Sequence, residues 1–380
     1  GAPASVVTSH VDNTNYAAFA QVTYKLTDTL SATGGVRYSW DKVSACGGTI
    51  GTSYATFAQC RQVAATGTVV NGVLTTLDGV GIVKNKGSAP SWTLGLDWKA
   101  TPDLLLYVTS RRGYRGANVN TPLFETPYTT GGNICGLNGA AGACPDLRPV
   151  QKTGEERLTD VEVGEKWTFN IGGARGRINT AFFYSKYKNA LQFLNVQAVV
   201  PSTAPDNPTN ASVGVNAANL TIYGAELEFS VSPSRNLTIS FNGAYTHEKV
   251  DSVSLPAIAG IVFTKDSVTK YSPRYSGTAS ASWILPFQPL DGQLVLNGDI
   301  FTTAPFGGQY GENLPGYNLV NMRLDWQGIA GTKVDLSVFV RNLTQEHYFA
   351  APDVLLKSFP VSSVAVGDPR TFGVSARYRF

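Results

Sequence analysis

The feature that most constrains this chain is a two-residue alternation of apolar and polar side chains, repeated in segment after segment. Val36, Tyr38 and Trp40 interleave with Arg37, Ser39 and Asp41; Trp92, Leu94, Leu96 and Trp98 interleave with Thr93, Gly95, Asp97 and Lys99. Phe372, Val374, Ala376, Tyr378 and Phe380 interleave with Gly373, Ser375, Arg377 and Arg379. A period of two sends successive side chains to opposite faces of a strand, and no amphipathic helix competes with it. The pattern predicts an all-β chain of about thirteen strands, over 13–25, 31–43, 90–100, 104–116, 158–170, 177–190, 217–231, 237–250, 273–285, 292–304, 316–327, 333–345 and 369–380. Most exceed the ~5–6 residues of an ordinary strand and match the ~9–11 of a tilted strand that crosses a membrane.

The connections alternate strictly between short and long. Short ones fall at Leu26–Leu30, Thr101–Asp103, Ile171–Gly176, Ser232–Asn236, Pro286–Asp291 and Gly328–Thr332, and long ones at 44–89, 117–157, 191–216, 251–272, 305–315 and 346–368. An antiparallel up-and-down transmembrane barrel with short periplasmic turns and long extracellular loops has this asymmetry. A soluble sandwich has no reason to keep it. All six tryptophans (Trp40, Trp92, Trp98, Trp167, Trp283 and Trp326) share the apolar parity of their strands and are expected near strand ends. There an indole can bury its ring in lipid and keep its N–H in a polar layer. Glu165 breaks the apolar parity of its strand, sharing it with Val161, Val163, Trp167 and Phe169, which marks either a bulge or a subunit contact.

Composition agrees. Charged residues make up 15% of the chain, against about 25% in a soluble domain, yet hydrophobic residues reach only 43%. An average over one lipid-facing and one water-facing parity gives that result. No apolar run approaches the ~18–20 residues of a membrane helix, and with no basic n-region followed by an apolar h-region, no signal peptide is expected within residues 1–380. With 30 Lys+Arg against 27 Asp+Glu, a nucleic-acid partner is not expected. Four cysteines, Cys46, Cys60, Cys135 and Cys144, form no CxxC and have no histidine at metal spacing. The local pairs Cys46 with Cys60 and Cys135 with Cys144 suit disulfides in an oxidising compartment; four unrelated thiols are the alternative. No GxSxG, HExxH or P-loop occurs, and His10, His247 and His347 are scattered. Neither a catalytic residue, a metal site nor a cofactor is expected.

On the polar parity, Arg37, Asp97, Lys99, Glu162, Lys166, Glu226, Glu228, Asp299, Arg323, Asp325, Arg341, Arg377 and Arg379 are expected to face the lumen, as cross-strand pairs in a hydrated wall or as a path for a solute. The run Arg111-Arg112-Gly113-Tyr114-Arg115 is the densest positive patch, at the outer end of its strand, where Arg111, Arg112 and Arg115 can meet an anionic ligand or a lipopolysaccharide phosphate. Loop aromatics such as Tyr128 and Tyr310 are further candidates for solute contact.

The chain ends Arg377-Tyr378-Arg379-Phe380, and its last segment, VFVRNLTQEHYF … GDPRTFGVSARYRF, resembles the C-terminal end of TonB-dependent receptors. Asn342-Leu343-Thr344 with Tyr348 resembles that family's penultimate-strand motif, and Pro369-Arg370-Thr371-Phe372-Gly373 the run into its last strand. YAAFAQVTYKLTDTLSATGGVRYSWDK, SRRGYRGANVN, VEVGEKWTF…AFFYSKYKNALQF and IYGAELEFSVSPSRNLTIS match its barrel in order, so the resemblance runs from Tyr16 onward. It implies an outer-membrane receptor that imports a scarce solute, most often a ferric siderophore-type chelate, with energy from TonB acting on a plug inside the barrel. It also implies that the barrel-assembly machinery recognises the strand ending at Phe380, and that the outward strands meet outer-membrane lipid and lipopolysaccharide. That family's barrel has about 22 strands. Residues 1–380 are therefore expected to be the C-terminal part of one barrel domain, from roughly its tenth strand, with no plug and with open edges at both ends. A passive porin-like channel and a soluble all-β binding protein are the competing readings. The coding sequence upstream of Gly1 is expected to encode a plug and further strands; a frame that opens at Gly1 after only a signal peptide contradicts this.

Overall fold

The computed structural model describes residues 7–49, 68–70, 73–75, 81–120, 150–199, 208–255, 263–268, 272–307, 313–352 and 364–379. Thirteen strands form one antiparallel sheet in which spatial order equals chain order. They are β1 (Val7–Lys25), β2 (Leu30–Thr49), β3 (Gly81–Thr101), β4 (Leu104–Arg115) and β5 (Glu156–Ile171). Next come β6 (Ala174–Val199), β7 (Pro208–Ser234), β8 (Leu237–Val253) and β9 (Tyr275–Ile284). The last four are β10 (Gln293–Thr303), β11 (Tyr317–Gln327), β12 (Val334–Arg341) and β13 (Thr371–Tyr378). β1 and β13 are the two edges and do not pair with each other, so the sheet is an open meander. Short and long connections alternate as expected, and three of the short ones are two-residue turns, Pro102-Asp103, Gly172-Gly173 and Arg235-Asn236. At the second of these, between β5 and β6, the turn is all glycine. Both glycines have positive φ, +59° and +87°, which the favoured hairpin turn requires and a Cβ opposes.

The strands are longer than the alternation predicts at the end that carries the long connections. β2 runs on to Thr49 and β3 starts at Gly81, both inside a segment expected to be loop, and β6 and β7 together take up most of 191–216. These extensions pair as hairpins, Cys46 with Ile82 and Leu194 with Val213. They lie past the lipid layer, where neither face must be apolar, so the alternation fades while the pairing continues. As a result Trp40 and Trp92 sit in mid-strand instead of near strand ends. The other four tryptophans do lie near the short-turn ends of their strands.

The cross-strand registers show that the two parities are two continuous faces. Outward positions pair with outward ones, as in Val36 with Trp92, Trp98 with Leu106, Val163 with Phe182 and Val338 with Val374. Large side chains on this face are exposed, Val36 at 63% and Phe182 at 58% among them, which a membrane layer explains and a soluble core does not. Trp40 lies opposite Ser88, ten residues before Trp98 on β3. At about 3.4 Å per residue and a tilt of 35–45°, that separation is about 25 Å in height, the thickness of an outer-membrane barrel's apolar band. Trp326 closes its polar requirement by donating Nε1–H to the Pro289 carbonyl at 3.1 Å.

Glu165 faces outward between Leu106 and Thr180 in unbroken registers on both sides, so no bulge explains it. It stands one outward position from Trp167. Near the short-turn interface its carboxylate is within reach of headgroup water, where an acidic residue costs little.

On the inward face, rings lie across glycines. A Cβ at Gly164 would stand 2.6 Å from Tyr107 Cζ and 2.5 Å from the Thr180 carbonyl oxygen. Where β12 ends, Asn342 has φ +50° and is buried. Its side chain accepts from Glu346 N–H at 2.8 Å and donates to the Glu346 and Asp368 carbonyls at 2.8 and 3.1 Å. The Asn-Leu-Thr motif is thus a turn that ties down the chain before β13, and Tyr348 stacks on Tyr317 with ring centroids 4.6 Å apart.

Beyond the sheet, a short ribbon pairs Asn118–Val119 with Lys152–Thr153. Asn85 of β3 donates to the Asn118 and Thr153 carbonyls at 2.7 and 2.8 Å. Asn120 makes a two-way pair with Gly214 of β7, donating at 2.7 Å and accepting at 2.9 Å. Val119 packs with Val43, Ala45 and Val83. The ribbon therefore links the tall β2–β3 hairpin to the tall β6–β7 hairpin.

Two outcomes follow. Gly164→Val should lower unfolding stability in detergent by about 1–3 kcal/mol through overpacking, whereas Gly113→Val, with nothing within 4 Å of its new Cβ, should be close to neutral in the same denaturant titration. Asn120→Ala should speed hydrogen exchange at the Gly214 amide about tenfold, the effect of losing a hydrogen bond worth about 1–1.5 kcal/mol, read by mass spectrometry.

Candidate functional site at the mouth

The arginine-rich run at the end of β4 does not act as one patch. In its register Arg111 opposes Asp160 and Arg115 opposes Glu156, both inward, whereas Arg112 opposes Thr159 and pairs back to Trp92, outward. The alternation of the strand divides the charge between two faces.

Inward, each arginine is held by acids. Arg111 Nη2 donates to Asp160 Oδ2 at 2.7 Å and to Glu162 Oε2 at 2.6 Å, and Tyr107 O–H donates to Glu162 Oε1 at 2.9 Å. Arg115 pairs with Glu156, whose side chain is 5% exposed. Tyr187 O–H and the Leu191 amide both donate to Glu156 Oε1, at 2.6 and 2.7 Å. The Leu191 amide reaches it because β6 is irregular between Tyr187 and Leu191, with Asn189 at φ +56°. Asn216 and Asn219 brace that irregularity: Asn216 Nδ2 donates to the Asn189 carbonyl at 2.8 Å, and Asn219 Oδ1 accepts from Asn189 N–H at 3.0 Å. A buried carboxylate with three donors is a fixed anchor, and it leaves the Arg115 guanidinium, with 64% of its side chain exposed, aimed into open space. That space is a cavity of about 520 Å³ lined by Arg115, Asn118, Asn120, Glu156 and Phe193. A second cavity of about 290 Å³ shares Arg115, Glu156, Leu191 and Phe193 and extends to Tyr187 and Glu248. A guanidinium with free donors beside an aromatic ring can bind an anionic or polar solute.

The remaining polar candidates all lie on the inward parity, joined by the registers from Arg37 opposite Ser91 to Arg377 opposite Asp335. Many are paired locally. Asn179 donates to Glu228 at 2.9 Å, Asn321 to Asp299 at 2.8 Å, and Arg323 to Asp325 at 2.6 Å. Arg379 Nη2 meets Asp335 at 2.7 Å, and Arg37 Nε donates to Ser39 at 3.0 Å. Lys166 Nζ stands 5.9 Å from the Tyr107 ring, and Arg341 stacks on Phe339 at 5.5 Å. Asp97 lies opposite Tyr107, Lys99 opposite Leu105, and Glu226 opposite Ala181.

Cys46 is disulfide-bonded, and no described cysteine is free. Cys60, Cys135, Cys144, Tyr128, Tyr310 and Phe380 lie outside the described residues. Among the described residues, no group of three or more His, Cys, Asp or Glu is placed to hold a metal ion, and no helix is long and apolar enough to cross a membrane.

Glu156, Tyr187 and the Asn85, Asn120, Asn189 and Asn216 set did not stand out in the sequence. The Glu155-Glu156-Arg157 triplet, a charge cluster at a strand start in a charge-poor chain, was the available signal.

The β-barrel model of TonB-dependent receptor-like proteins matches residues 1–343. Among solved structures, the ferric yersiniabactin uptake receptor FyuA from Yersinia pestis superposes with a TM-score of 0.66 at 17% identity, covering 99% of this chain and 47% of that one. The ferric-catecholate import receptor Fiu from E. coli K12 gives 0.62 at 15%, with 98% and 45% covered. The copper transporter OprC gives 0.58 at 14%, with 96% and 48% covered. The chain thus spans about half the length of the solved proteins it matches. No curated protein sequence matches it. With the meander of long strands, the outward apolar face and a family match over most of its length, the chain belongs to the TonB-dependent receptor β-barrel family of the bacterial outer membrane.

Proposed function

We propose that this chain is the C-terminal part of the barrel of an active-transport receptor that captures a scarce solute at its outer mouth and imports it with energy delivered through TonB. A ferric siderophore-type chelate is the solute class favoured. The observation that carries the reading is the Glu156-anchored Arg115 over the paired cavities at the mouth. Siderophore chelates are commonly anionic and present several oxygen acceptors, which suits exposed guanidinium donors held in place by buried acids. Family membership supports it, as do neighbours named as receptors for ferric yersiniabactin and for ferric catecholates. In this reading the plug and the TonB contact belong to the N-terminal part of the receptor. The inward charges from Arg37 to Arg379 face that plug or the solute path, and the barrel-assembly machinery engages the final strand.

Equilibrium binding to the full-length receptor tests it, with ferric chelates of the catecholate, hydroxamate and carboxylate classes. Arg115→Ala should weaken binding of the cognate chelate about tenfold or more, as expected for one charge-assisted contact, and iron uptake by cells should cease without TonB. Failure to bind any of the three classes overturns the solute assignment. Uptake that persists without TonB, with steady conductance in a planar bilayer, favours a passive channel instead.

A further inference from the structure

From Arg111 toward the mouth, the inward face of β4 to β8 is built in three rows. The registers join Arg111, Asp160, Ser185, Ile222 and Glu248 into the first. The second is Gly113, Leu158, Tyr187, Leu220 and Val250. The third begins with Arg115 opposite Glu156. Charge is therefore confined to the first and third rows, with an uncharged, largely apolar row between them. Arg111 and Arg115 lie four residues apart on β4, about 14 Å at 3.4 Å per residue.

The charges on these rows do not balance. Arg111 is taken by Asp160 and Glu162, and Arg115 by Glu156. Glu248 is half-buried, and among the described residues its carboxylate has neither an ion pair nor a hydrogen bond. The cations near it in sequence and space are engaged elsewhere. His247 and Lys249 stand on the outward parity, with the His247 ring 4.9 Å from that of Tyr223. Arg274, which shares a cavity of about 270 Å³ with Glu248, places its guanidinium over the outward Tyr245 ring at 6.0 Å. On its other side Glu248 lines the cavity of about 290 Å³ that contains Arg115, together with Tyr187, Leu220 and Ile222 of the rows between.

We propose that Glu248 receives a cationic group of the imported solute, so that the solute is an oxygen-rich chelate with an amine-bearing arm. Arg115 meets the oxygens, the arm crosses the apolar row, and its ammonium donates to Glu248. A carboxylate that faces a cavity without a partner gains most from a charged donor. A solute lacking that donor leaves the acid desolvated and unpaired, which is how a polar group in a site rejects an analogue. The rows of Arg115 and Glu248 are about 14 Å apart along the strands, and the two side chains reach into the gap, so a short aliphatic arm spans it. The inference rests on the transport reading above and adds to it the charge that the solute must carry.

The test is equilibrium binding to the full-length receptor of matched synthetic ferric chelates of the catecholate, hydroxamate and carboxylate classes. Each is made twice, with a free primary amine on a short arm and with that amine acetylated. In the class that binds, the free amine should be favoured about tenfold, the worth of one charge-assisted hydrogen bond. That comparison in the unaltered receptor stands without any variant. Glu248→Gln, which keeps the side chain's shape and removes no described bond, should abolish the preference. Arg115→Ala should weaken both forms and keep the preference. Glu165→Gln, the same charge change on the outward face, should leave affinity and preference as they were. Equal binding of the two forms by the unaltered receptor, or a preference that survives Glu248→Gln, overturns this inference alone. Binding of no chelate in any of the three classes overturns the solute assignment above and this inference with it.

Discussion

In hydrocarbon no water is available to pair an amide or a carbonyl, so every backbone polar group must find its partner in a neighbouring strand. That requirement governs this molecule. It sets the long continuous registers, the short turns at one end and the connection of each strand only to its chain neighbours. It also makes the edges informative. β1 offers nineteen residues of backbone along a side with no partner, and β13 offers eight. A sheet with such edges is stable in a bilayer only when other strands complete it, and the family's solved members, about twice as long as this chain, are of a size to supply them.

Once pairing is fixed, a side chain's role follows from its parity and its height. Arg111, Arg112 and Arg115 are close in sequence but serve different surroundings, two facing the lumen and its acids and one facing the lipid side above Trp92. Glu165 is tolerated on the lipid face because of its height beside Trp167. The mouth obeys a different rule. There the strands leave the lipid and backbone irregularity becomes affordable, as at Asn189 in β6, with asparagine side chains meeting the groups that the ladder releases. Glu156 is buried at that point, and Arg115 is exposed because Glu156 holds it.

The strands within the lipid layer were legible in the sequence because lipid on one face and water on the other enforce a period of two. Val36–Trp40 and Trp92–Trp98 could be assigned to faces from the residues alone, and the Asn342 motif could be matched although its role as a turn could not be read. The tall extensions of β2, β3, β6 and β7 were not legible, because strands in water on both faces carry no alternation. The mouth was hidden for a related reason. Glu156, Asn120 and Gly214 lie far apart in sequence and meet only after two hairpins stand side by side, and no local pattern announces such a meeting.

The central claim is that one parity of thirteen strands faces lipid and the other does not. Tryptophan fluorescence of the full-length receptor in bilayers of lipids brominated at shallow or deep acyl positions tests it directly, with each of the six tryptophans left in turn as the only one in this part of the barrel. The account predicts quenching at every one of the six, stronger from shallow bromines at Trp40, Trp98, Trp167, Trp283 and Trp326, which mark the interfaces, and stronger from deep bromines at Trp92, which lies between the levels of Trp40 and Trp98 on β3. Tryptophans that report no contact with brominated chains, or that are quenched equally by aqueous iodide throughout, would contradict it.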